Sequence, residues 1–265
     1  MRKIGTVSMG IRCPIIKEGD DLVKIVTDSV IEAAGSNLRD RDIIAITESV
    51  VARAQGNYVT ITDIATDVKN KTDGDTVGLV FPILSRNRFA ICLRGIAAGV
   101  KKVVLMFSYP ADEKGNALIT PEKIMASTIN PYTTNLTLEE YRILFGKNLH
   151  PFTGIDYVEY YQSLIEEAGA KCEIIFSNNP EYILNYTDTV IACDIHTRAY
   201  TKQILTNYGA KLVLGLDDIL NKPINNSGYN SKYGLLGSNK ATENKVKLFP
   251  NDCLDRKSTR LNSRI

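Results

Sequence analysis

The sequence predicts an α/β protein in which a mixed lobe carries an inserted lobe with a parallel sheet. Four short apolar runs recur in the middle of the chain, each bounded by turn residues. They cover residues 103–107, 172–176, 189–193 and 212–216. Runs of this kind indicate strands that are buried on both faces, as in a parallel sheet. Helical segments lie between them, and this alternation favours βαβ units with right-handed crossovers.

The helices of this middle region have recognisable ends. Thr137 and Glu140 match a capping box, in which two side chains satisfy the free amides of a helix start. Residues 157–168 and 197–208 are predicted helices, and a glycine follows each of them, as is common at helix C-termini.

The N-terminal elements are predicted from caps and periodicity. Asp20 is placed to accept hydrogen bonds from the first amides of a helix that ends at Gly35. Residues 42–46 are apolar enough to form a buried strand, and Thr47 is a suitable N-cap for a short helix over residues 48–55. The remaining predicted elements are a helix over residues 62–71 capped by Thr62, strands over residues 77–80 and 245–249, a helix over residues 89–98, and a loop over residues 221–239.

Composition indicates a globular cytoplasmic protein. Hydrophobic residues make up 44% of the 265 residues and charged residues 23%, which suits a chain with a substantial core. The five cysteines are odd in number and have no metal-ligand spacing, so we expect reduced thiols. The longest apolar region, residues 89–107, is interrupted by Arg94 and by Lys101 and Lys102, so no membrane span is predicted.

The net charge of +2 depends on the last ten residues. Residues 256–265 contain four basic side chains and no acid; without those four, the 32 basic residues become 28 against 30 acidic. The chain therefore gives no support to nucleic-acid binding. The string RKSTRLNS in this tail resembles translated sequencing adapter, so we expect residues 256–265 to be non-native and the natural chain to continue past Asp255.

Two segments resemble a known family. The first joins residues 10–21, which contain Pro-Ile-Ile-Lys followed by Gly-Asp-Asp, to residues 40–56, which end in Ala-Arg-Ala-Gln-Gly. The second is Gly-Leu-Leu-Gly-Ser-Asn at residues 234–239, with Leu-Phe-Pro and Asp252 behind it. In order and spacing these segments resemble the coenzyme F-420:L-glutamate ligase family, and especially its longer form in anaerobic bacteria.

The resemblance implies a domain division. Residues 1–100 correspond to an N-terminal ligase-like lobe, and residues 221–255 return to it without completing it. Residues 101–220 have no counterpart in the small archaeal enzymes and are expected to form an inserted α/β lobe. The family also implies a homodimer.

The resemblance further implies an activity. GTP would activate the carboxylate of a deazaflavin phospholactate as an acyl phosphate, and the amine of L-glutamate would attack it. A divalent metal, Mg or Mn, would balance the phosphate charge. The nucleotide-binding positions of the family fall on Pro14, Ile15, Ile16, Lys17, Glu48, Ser49, Arg53 and Asn239.

Three departures from the family pattern bear on activity. Glu48 stands where the family has a neutral hydroxyl, and a carboxylate is unfavourable beside phosphates. Arg53 replaces a lysine and keeps its charge. Leu236 occupies the position of the first metal-ligand aspartate, and the second falls in a stretch that this chain lacks. The chain as given is therefore expected to be inactive, and no catalytic residue is assigned.

A second cluster could bind an anion or a substrate. Asp194, His196 and Arg198 follow a predicted parallel strand, where open α/β sheets place ligands, but Asp194 or Thr197 could instead only cap the next helix. Arg86 and Arg88 precede a predicted helix and could form an anion cradle there, or a solvated helix face. For Asp217 and Asp218 the sequence favours capping of a short helix over metal binding, and for His150 it favours a turn over a functional role.

Other nucleotide motifs are absent from the sequence. It has no Gly-x-x-x-x-Gly-Lys-Ser/Thr loop and no strand-linked Gly-x-Gly-x-x-Gly. Three hypotheses therefore stand: a γ-glutamyl amide ligase, a nucleotide-binding relative that has lost ligation, and an amide ligase whose insert selects a different acceptor.

Overall fold

The computed structural model describes residues 5–250, and these form eight α-helices and nine strands. The helices are α1 (Leu22–Ala34), α2 (Glu48–Ala54), α3 (Ile61–Thr72), α4 (Phe89–Ala98), α5 (Pro121–Ala126), α6 (Leu138–Phe145), α7 (Tyr157–Glu167) and α8 (Arg198–Asn207). The strands are β1 (Tyr58–Thr60), β2 (Thr76–Val80), β3 (Lys102–Phe107), β4 (Leu136–Thr137), β5 (Lys171–Phe176), β6 (Thr189–Ala192), β7 (Leu212–Gly215), β8 (Ser238–Lys240) and β9 (Lys245–Leu248).

The larger sheet has six strands in the order β4-β5-β3-β2-β6-β7. Five of them are parallel, and the edge strand β4 is antiparallel to β5. Leu79 of β2 lies opposite Leu105 of β3 and Ile191 of β6, and all three side chains are fully buried. This confirms the α/β class and the four apolar strands of the middle region.

Helices cover both faces of this sheet. α4 and α7 pack against each other and belong to the main core, while α8 and the 3-10 turn Pro180–Asn185 enclose a smaller core on the opposite face. Such two-sided burial explains why β3 after Lys102 and β6 after Thr189 are continuously apolar.

The strand order reverses beside β2. From β2 the chain moves outward to β3 and β5, and it then returns to the other side of β2 to form β6 and β7. The carboxyl ends of β2 and β6 therefore lie side by side at a topological switch point, the place where open α/β sheets bind ligands.

The smaller sheet is antiparallel, with the order β1-β9-β8, and α2 packs against β9. Val246 and Leu248 point into the core and are fully buried. Because side chains alternate along a strand, Lys245 and Lys247 lie on the opposite face.

The domain boundary at residue 100 stays a prediction. Strand β2 lies before this boundary, yet it pairs with β3 and β6 from the 101–220 segment. The parallel sheet is thus built from residues on both sides of it.

Several local predictions are wrong. Residues 42–46 form no strand; Ile43 is 88% exposed, and no segment among the described residues pairs with this stretch. Asp21 caps α1 by accepting from the Lys24 amide, whereas Asp20 accepts from the Lys17 amide. Thr60 rather than Thr62 caps α3, because Thr60 and Asp63 form a reciprocal capping box.

Other local predictions are confirmed. The helix over residues 89–98, the capping box of Thr137 and Glu140, and the C-terminal glycine Gly35 of α1 are as expected. The predicted loop over residues 221–239 ends in a 3-10 turn, Gly234–Gly237, and the first residues of β8. The sequence Ser-Asn-Lys of β8 has no apolar run, and within residues 5–250 this edge strand pairs only with β9.

Two further points concern the described residues alone. None of their helices is long and apolar enough to cross a membrane. Cys13, Cys92, Cys172 and Cys193 are free thiols. Cys253, Asp252 and the tail at 256–265 lie outside the described residues.

Candidate functional site

One of the segments that resemble the family is held against the end of α2 by a backbone hydrogen bond. The amide of Gly19 donates to the carbonyl of Ala54 at 2.9 Å, and Asp20 holds the Lys17 amide at 2.6 Å. These bonds place the end of the stretch Pro14, Ile15, Ile16 and Lys17 against the last residues of α2, where Arg53 lies.

One face of α2 carries two of the three predicted nucleotide residues of that helix. Ser49 and Arg53 are four residues apart, so they lie on the same side. Glu48 precedes them in the first turn of the helix. Arg53 is exposed at its C-terminal end, whereas Ala52 and Ala54 are buried against the protein.

Strand β9 is the neighbour of both elements that carry these residues. Helix α2, which carries Arg53, packs against β9, and β8, which carries Asn239, pairs with it. In the smaller sheet Lys247 lies opposite Tyr58 of β1 on one side and Asn239 of β8 on the other. Directly opposed residues share a face of a sheet, so Tyr58, Lys247 and Asn239 form a row. We call this row, together with Arg53, the cationic row.

The pKa of Lys247 in this row departs from its usual value. Burial lowers the pKa of the Lys247 ammonium from its usual value, and the nearby positive charge of Arg53 lowers it further. Within residues 5–250 no carboxylate forms an ion pair with either side chain. Lys247 and Arg53 have no acidic partner among the described residues, and cations of this kind can hold the phosphates of a nucleotide, so the residues present fit that ligand.

The residues present do not fit a metal at the family position. Leu236 lies in the 3-10 turn Gly234–Gly237 and packs against the hydrophobic core. It lines a small cavity of about 20 Å³ with Cys92 and Cys193. The described part of the chain holds no group of three His, Cys, Asp or Glu side chains suited to a metal ion. We therefore derive no chemical step through a metal here.

The same cavity joins the ligase-like segment to the parallel sheet. Ser238, next to Asn239, lines it together with Arg88 and Ile195. The Lys240 amide also donates to the carbonyl of Asn87 at 2.9 Å. Residues that the sequence separates by about 150 positions are thus neighbours at the carboxyl edge of the larger sheet.

Asp194 is fully buried at the end of β6, near the switch point. One carboxylate oxygen, Oδ2, accepts from the hydroxyls of Thr197 at 2.6 Å and Thr201 at 2.9 Å. The other, Oδ1, has no partner among the described residues. Burial raises the pKa of this carboxyl, and the charge of Glu113 raises it further. Its two hydroxyl contacts hold the start of α8, but among the described residues neither Asp194 nor Thr197 accepts from a free amide of that helix, so the capping interpretation is wrong in detail.

The other members of this second cluster have partners of their own. Arg198 forms a two-pronged ion pair with Asp217, at 2.8 and 3.1 Å, and donates to the carbonyl of Ile195. Asp218 accepts from the Gly215 amide at 2.7 Å and pairs with Lys202, which confirms capping for this residue.

Glu113 occupies the backbone amides at the end of β6. Its carboxylate accepts from the amides of Ile195 and His196, and Lys114 lies 3.4 Å from His196 Nε2. Arg86 is exposed, and Arg88 lies over the cavity. The anion role of Arg86, Arg88, Asp194, His196 and Arg198 stays a prediction, but the amides that would hold an anion here already bind Glu113.

A role in the site was not predicted from the sequence for Lys247 or for Glu113. Lys247 could have been found from the alternation Lys-Val-Lys-Leu in β9, which places two lysines opposite two core residues. Glu113 gave no signal, since it lies in a loop after β3 and meets β6 only in the folded protein.

The fold defines an α/β protein whose smaller sheet presents a cationic row. A family model described as F420-0:Gamma-glutamyl ligase matches residues 10–265, and the chain therefore belongs to that family. Coenzyme F420:L-glutamate ligase of Methanothermobacter thermautotrophicus is 33% identical over 67 residues, which cover 23% of this chain and 26% of that protein. The aligned part is thus about a quarter of that relative's length. No solved structure gives a significant match.

Proposed function

We propose that this chain belongs to an amide ligase that adds L-glutamate to the carboxylate of a deazaflavin phospholactate acceptor with the use of GTP. The observation that carries this proposal is the cationic row, because it unites Arg53 and Asn239, which resemble nucleotide-binding positions of the family, on one surface. The family match supports the reaction type.

The residues of the site support a division of roles. Pro14, Ile15, Ile16 and Lys17 would line one side of the nucleotide, since hydrogen bonds hold Gly19 and Lys17 against α2. Glu48 and Ser49 would lie beside it. Arg53 would meet the phosphate charge, and the Asn239 amide would donate a hydrogen bond.

The proposed reaction has two steps. A carboxylate oxygen of the acceptor attacks the terminal phosphorus of GTP, and the bond to the GDP oxygen breaks, which gives an acyl phosphate. The amine of glutamate then attacks the acyl carbon, loses a proton and expels phosphate. The role of this chain's residues is to hold the reactants in line and to counter charge on the transferred phosphoryl group.

A homodimer fits the surface of the N-terminal segment. Residues 5–47 expose several large apolar side chains: Val7 (66%), Met9 (73%), Ile15 (80%), Val23 (77%), Ile31 (52%) and Ile43 (88%). A surface of this kind is typical of a protein interface. Light scattering should give twice the monomer mass, and Val23→Lys with Ile31→Lys should reduce it to the monomer. The control Ile143→Lys, exposed on α6, should leave the mass unchanged.

A second candidate function is nucleotide binding without ligation. It is favoured by Leu236, since an apolar side chain replaces the family's metal-ligand aspartate. This candidate predicts that the protein binds GTP but forms no product.

Because the chain as given is expected to be inactive, the test is an assay of the full-length protein encoded by the gene with GTP, L-glutamate and the deazaflavin phospholactate, in which product is measured by mass spectrometry. Ligation predicts a product with one added glutamate that depends on GTP, and release of GDP. An Arg53→Met variant should lower the rate at limiting GTP. Binding of GTP without product would contradict ligation and favour the second candidate.

A further inference from the structure

We propose that a pocket between the 3-10 turn Pro180–Asn185 and the end of α8 binds a neutral sugar ring. The pocket has a volume of about 340 Å³, which lies within the range of small-molecule sites, about 300–1,000 Å³. Its lining residues all lie in the segment 101–220, and none of them belongs to the cationic row. The pocket is thus separate from the proposed nucleotide site.

Three carboxamides give the pocket hydrogen-bonding groups of both kinds. The hydroxyl of Ser177 donates to Asn135 Oδ1 at 2.6 Å, which leaves the NH₂ of Asn135 without a partner among the described residues. Asn179 and Asn185 each donate from Nδ2 to a backbone carbonyl, at 3.3 and 3.1 Å, so their Oδ1 atoms are free to accept. A ligand that satisfies all three has to donate as well as accept, as hydroxyl groups do.

The walls of the pocket are held in place by buried groups. Ser177 follows β5 and is fully buried, and its hydroxyl also accepts from the backbone amide of Asn179 at 3.0 Å. Tyr182 and Leu184 line the pocket and pack against the smaller core. A site that is fixed in this way loses little conformational entropy when a ligand binds.

Two phenol rings supply apolar surface beside these amides. Tyr208 lies at the C-terminal end of α8, and 66% of it is exposed. Tyr182 is half-buried and packs edge-on against Tyr186, with ring centroids 5.8 Å apart. A sugar ring carries hydroxyls around its edge and C–H groups on its faces, so aromatic rings and carboxamides suit it together.

The charge of the lining disfavours other classes of ligand. Among the described residues that line the pocket, Glu181 alone is charged, so a phosphate or a carboxylate would meet no cation and one negative charge. A hydrocarbon would leave the three carboxamides without water or a partner. Glu181 forms no ion pair within residues 5–250, and its oxygens can accept from a sugar hydroxyl.

The first test is saturation-transfer NMR with a panel of hexoses, pentoses and N-acetylhexosamines. We expect at least one of these sugars to bind the wild type, and Tyr208→Ala to weaken its affinity by about tenfold, since the stacking surface is lost. The matched control is Tyr200→Ala. Tyr200 lies on the same helix and is also 66% exposed, but it does not line the pocket, so the affinity should stay unchanged.

The second test distinguishes a neutral ligand from a cationic one. Glu181→Gln keeps the volume of the side chain and an acceptor, so the affinity for the sugar should change by less than about threefold. Added salt should have little effect, because the ligand carries no charge to be screened. Ethanolamine, as a cationic probe, should not bind. If it binds the wild type but not Glu181→Gln, the pocket is a cation site and the assignment to a sugar is wrong.

A third variant, Asn135→Ala, removes one of the proposed donors and should also weaken binding of the sugar. Asn135 and Tyr208 are both partly exposed, so the melting temperatures of their variants should stay within about 3 °C of the wild type. Absence of binding by every sugar of the panel would overturn the proposal. Binding that both variants leave unchanged would overturn it too, since the sugar would then lie elsewhere. Neither result depends on whether the protein ligates glutamate.

Discussion

At the scale of single residues, Asp194 gives the clearest electrostatic test. Its carboxyl is fully buried, one oxygen lacks a partner among the described residues, and burial raises its pKa. A carboxyl whose pKa is raised in the folded state contributes to the free energy of unfolding. This contribution is complete below the unfolded pKa of about 3.9. This contribution is lost as the pH rises through the folded pKa.

The free energy of unfolding of Asp194→Asn should therefore increase, relative to that of the wild type, as the pH rises from about 4 to 7. The amide keeps an acceptor for Thr197 and Thr201 but cannot ionise, while its unpaired NH₂ adds a cost that is independent of pH. The measurement is the free energy of unfolding of both proteins by urea across this range.

The control is Asp218→Asn, for which the slope should be opposite and should lie at lower pH, below about 5, so the urea series is extended down to about pH 2.5. Burial alone would raise the pKa of Asp218, but hydrogen bonds from Lys202 and from the Gly215 amide lower it overall. Its contribution is present above the unfolded pKa and is lost as the pH falls through the folded pKa. Parallel slopes for the two variants would contradict the environment described for Asp194.

Asp194 also shows what the sequence predicts, and what it does not, at the scale of single residues. The position of Asp194 at the end of a parallel strand followed from the apolar run before it. Its unpaired oxygen and the contact of Glu113 with the neighbouring amides did not, because they depend on loops that are distant in sequence.

At the scale of elements, the turn that leads into β8 depends on Gly234. This residue has a φ of +43°, and an added Cβ would lie 2.2 Å from the carbonyl oxygen of Ile219 and 2.6 Å from that of Asp217. The amide of the next residue, Leu235, donates to the same Ile219 carbonyl at 2.8 Å. Only glycine fits this close approach of two backbones.

Gly234→Ala should therefore lower the free energy of unfolding by about 3 kcal/mol, from strain and backbone displacement. Gly209→Ala is the matched control: its φ is +89°, but no atom lies within 4 Å of the added Cβ. It should cost only about 1 kcal/mol, the penalty of a left-handed conformation. Equal costs in chemical denaturation would show that the contact with Ile219 is unimportant.

The elements differ in how well the sequence predicts them. The strands β3, β5, β6 and β7 were predictable because each contains a short apolar run. Burial on both faces accounts for this run in β3 and β6, whereas β5 also carries Glu173 and β7 is mostly half-buried. The strand expected at residues 42–46 has the same composition but no partner in the described chain, and composition alone cannot reveal that. The row of Tyr58, Lys247 and Asn239 was not predictable, since it depends on a register between three distant segments.

At the scale of the whole molecule, two surfaces compete as the ligand site. The cationic row lies on the smaller sheet, and the switch point lies at the carboxyl edge of the larger one. The cavity lined by Arg88, Ser238 and Ile195 lies between them. At the switch point the amides of Ile195 and His196 already bind Glu113, and Arg198 is paired with Asp217. The cationic row offers two cations without a described acidic partner, and so do Arg86 and Arg88 near the cavity; we place the nucleotide on the cationic row because Asn239 lies in it.

The arrangement of the two sheets is consistent with a nucleotide bound at the cationic row. Because β2 belongs to the parallel sheet, the segment that precedes residue 100 contributes to both sheets. We expect the smaller sheet to bind the nucleotide and the edge of the larger sheet, a few residues away through Asn87 and Lys240, to face the acceptor.

The measurement that tests the account most directly is hydrogen–deuterium exchange with and without GTP. The account predicts slower exchange in α2 and in β8 and β9, which carry Arg53, Asn239 and Lys247. Residues 192–198, at the switch point, should change little. Protection confined to residues 83–90 and 192–198, with none in β9, would contradict the assignment of the nucleotide to the smaller sheet.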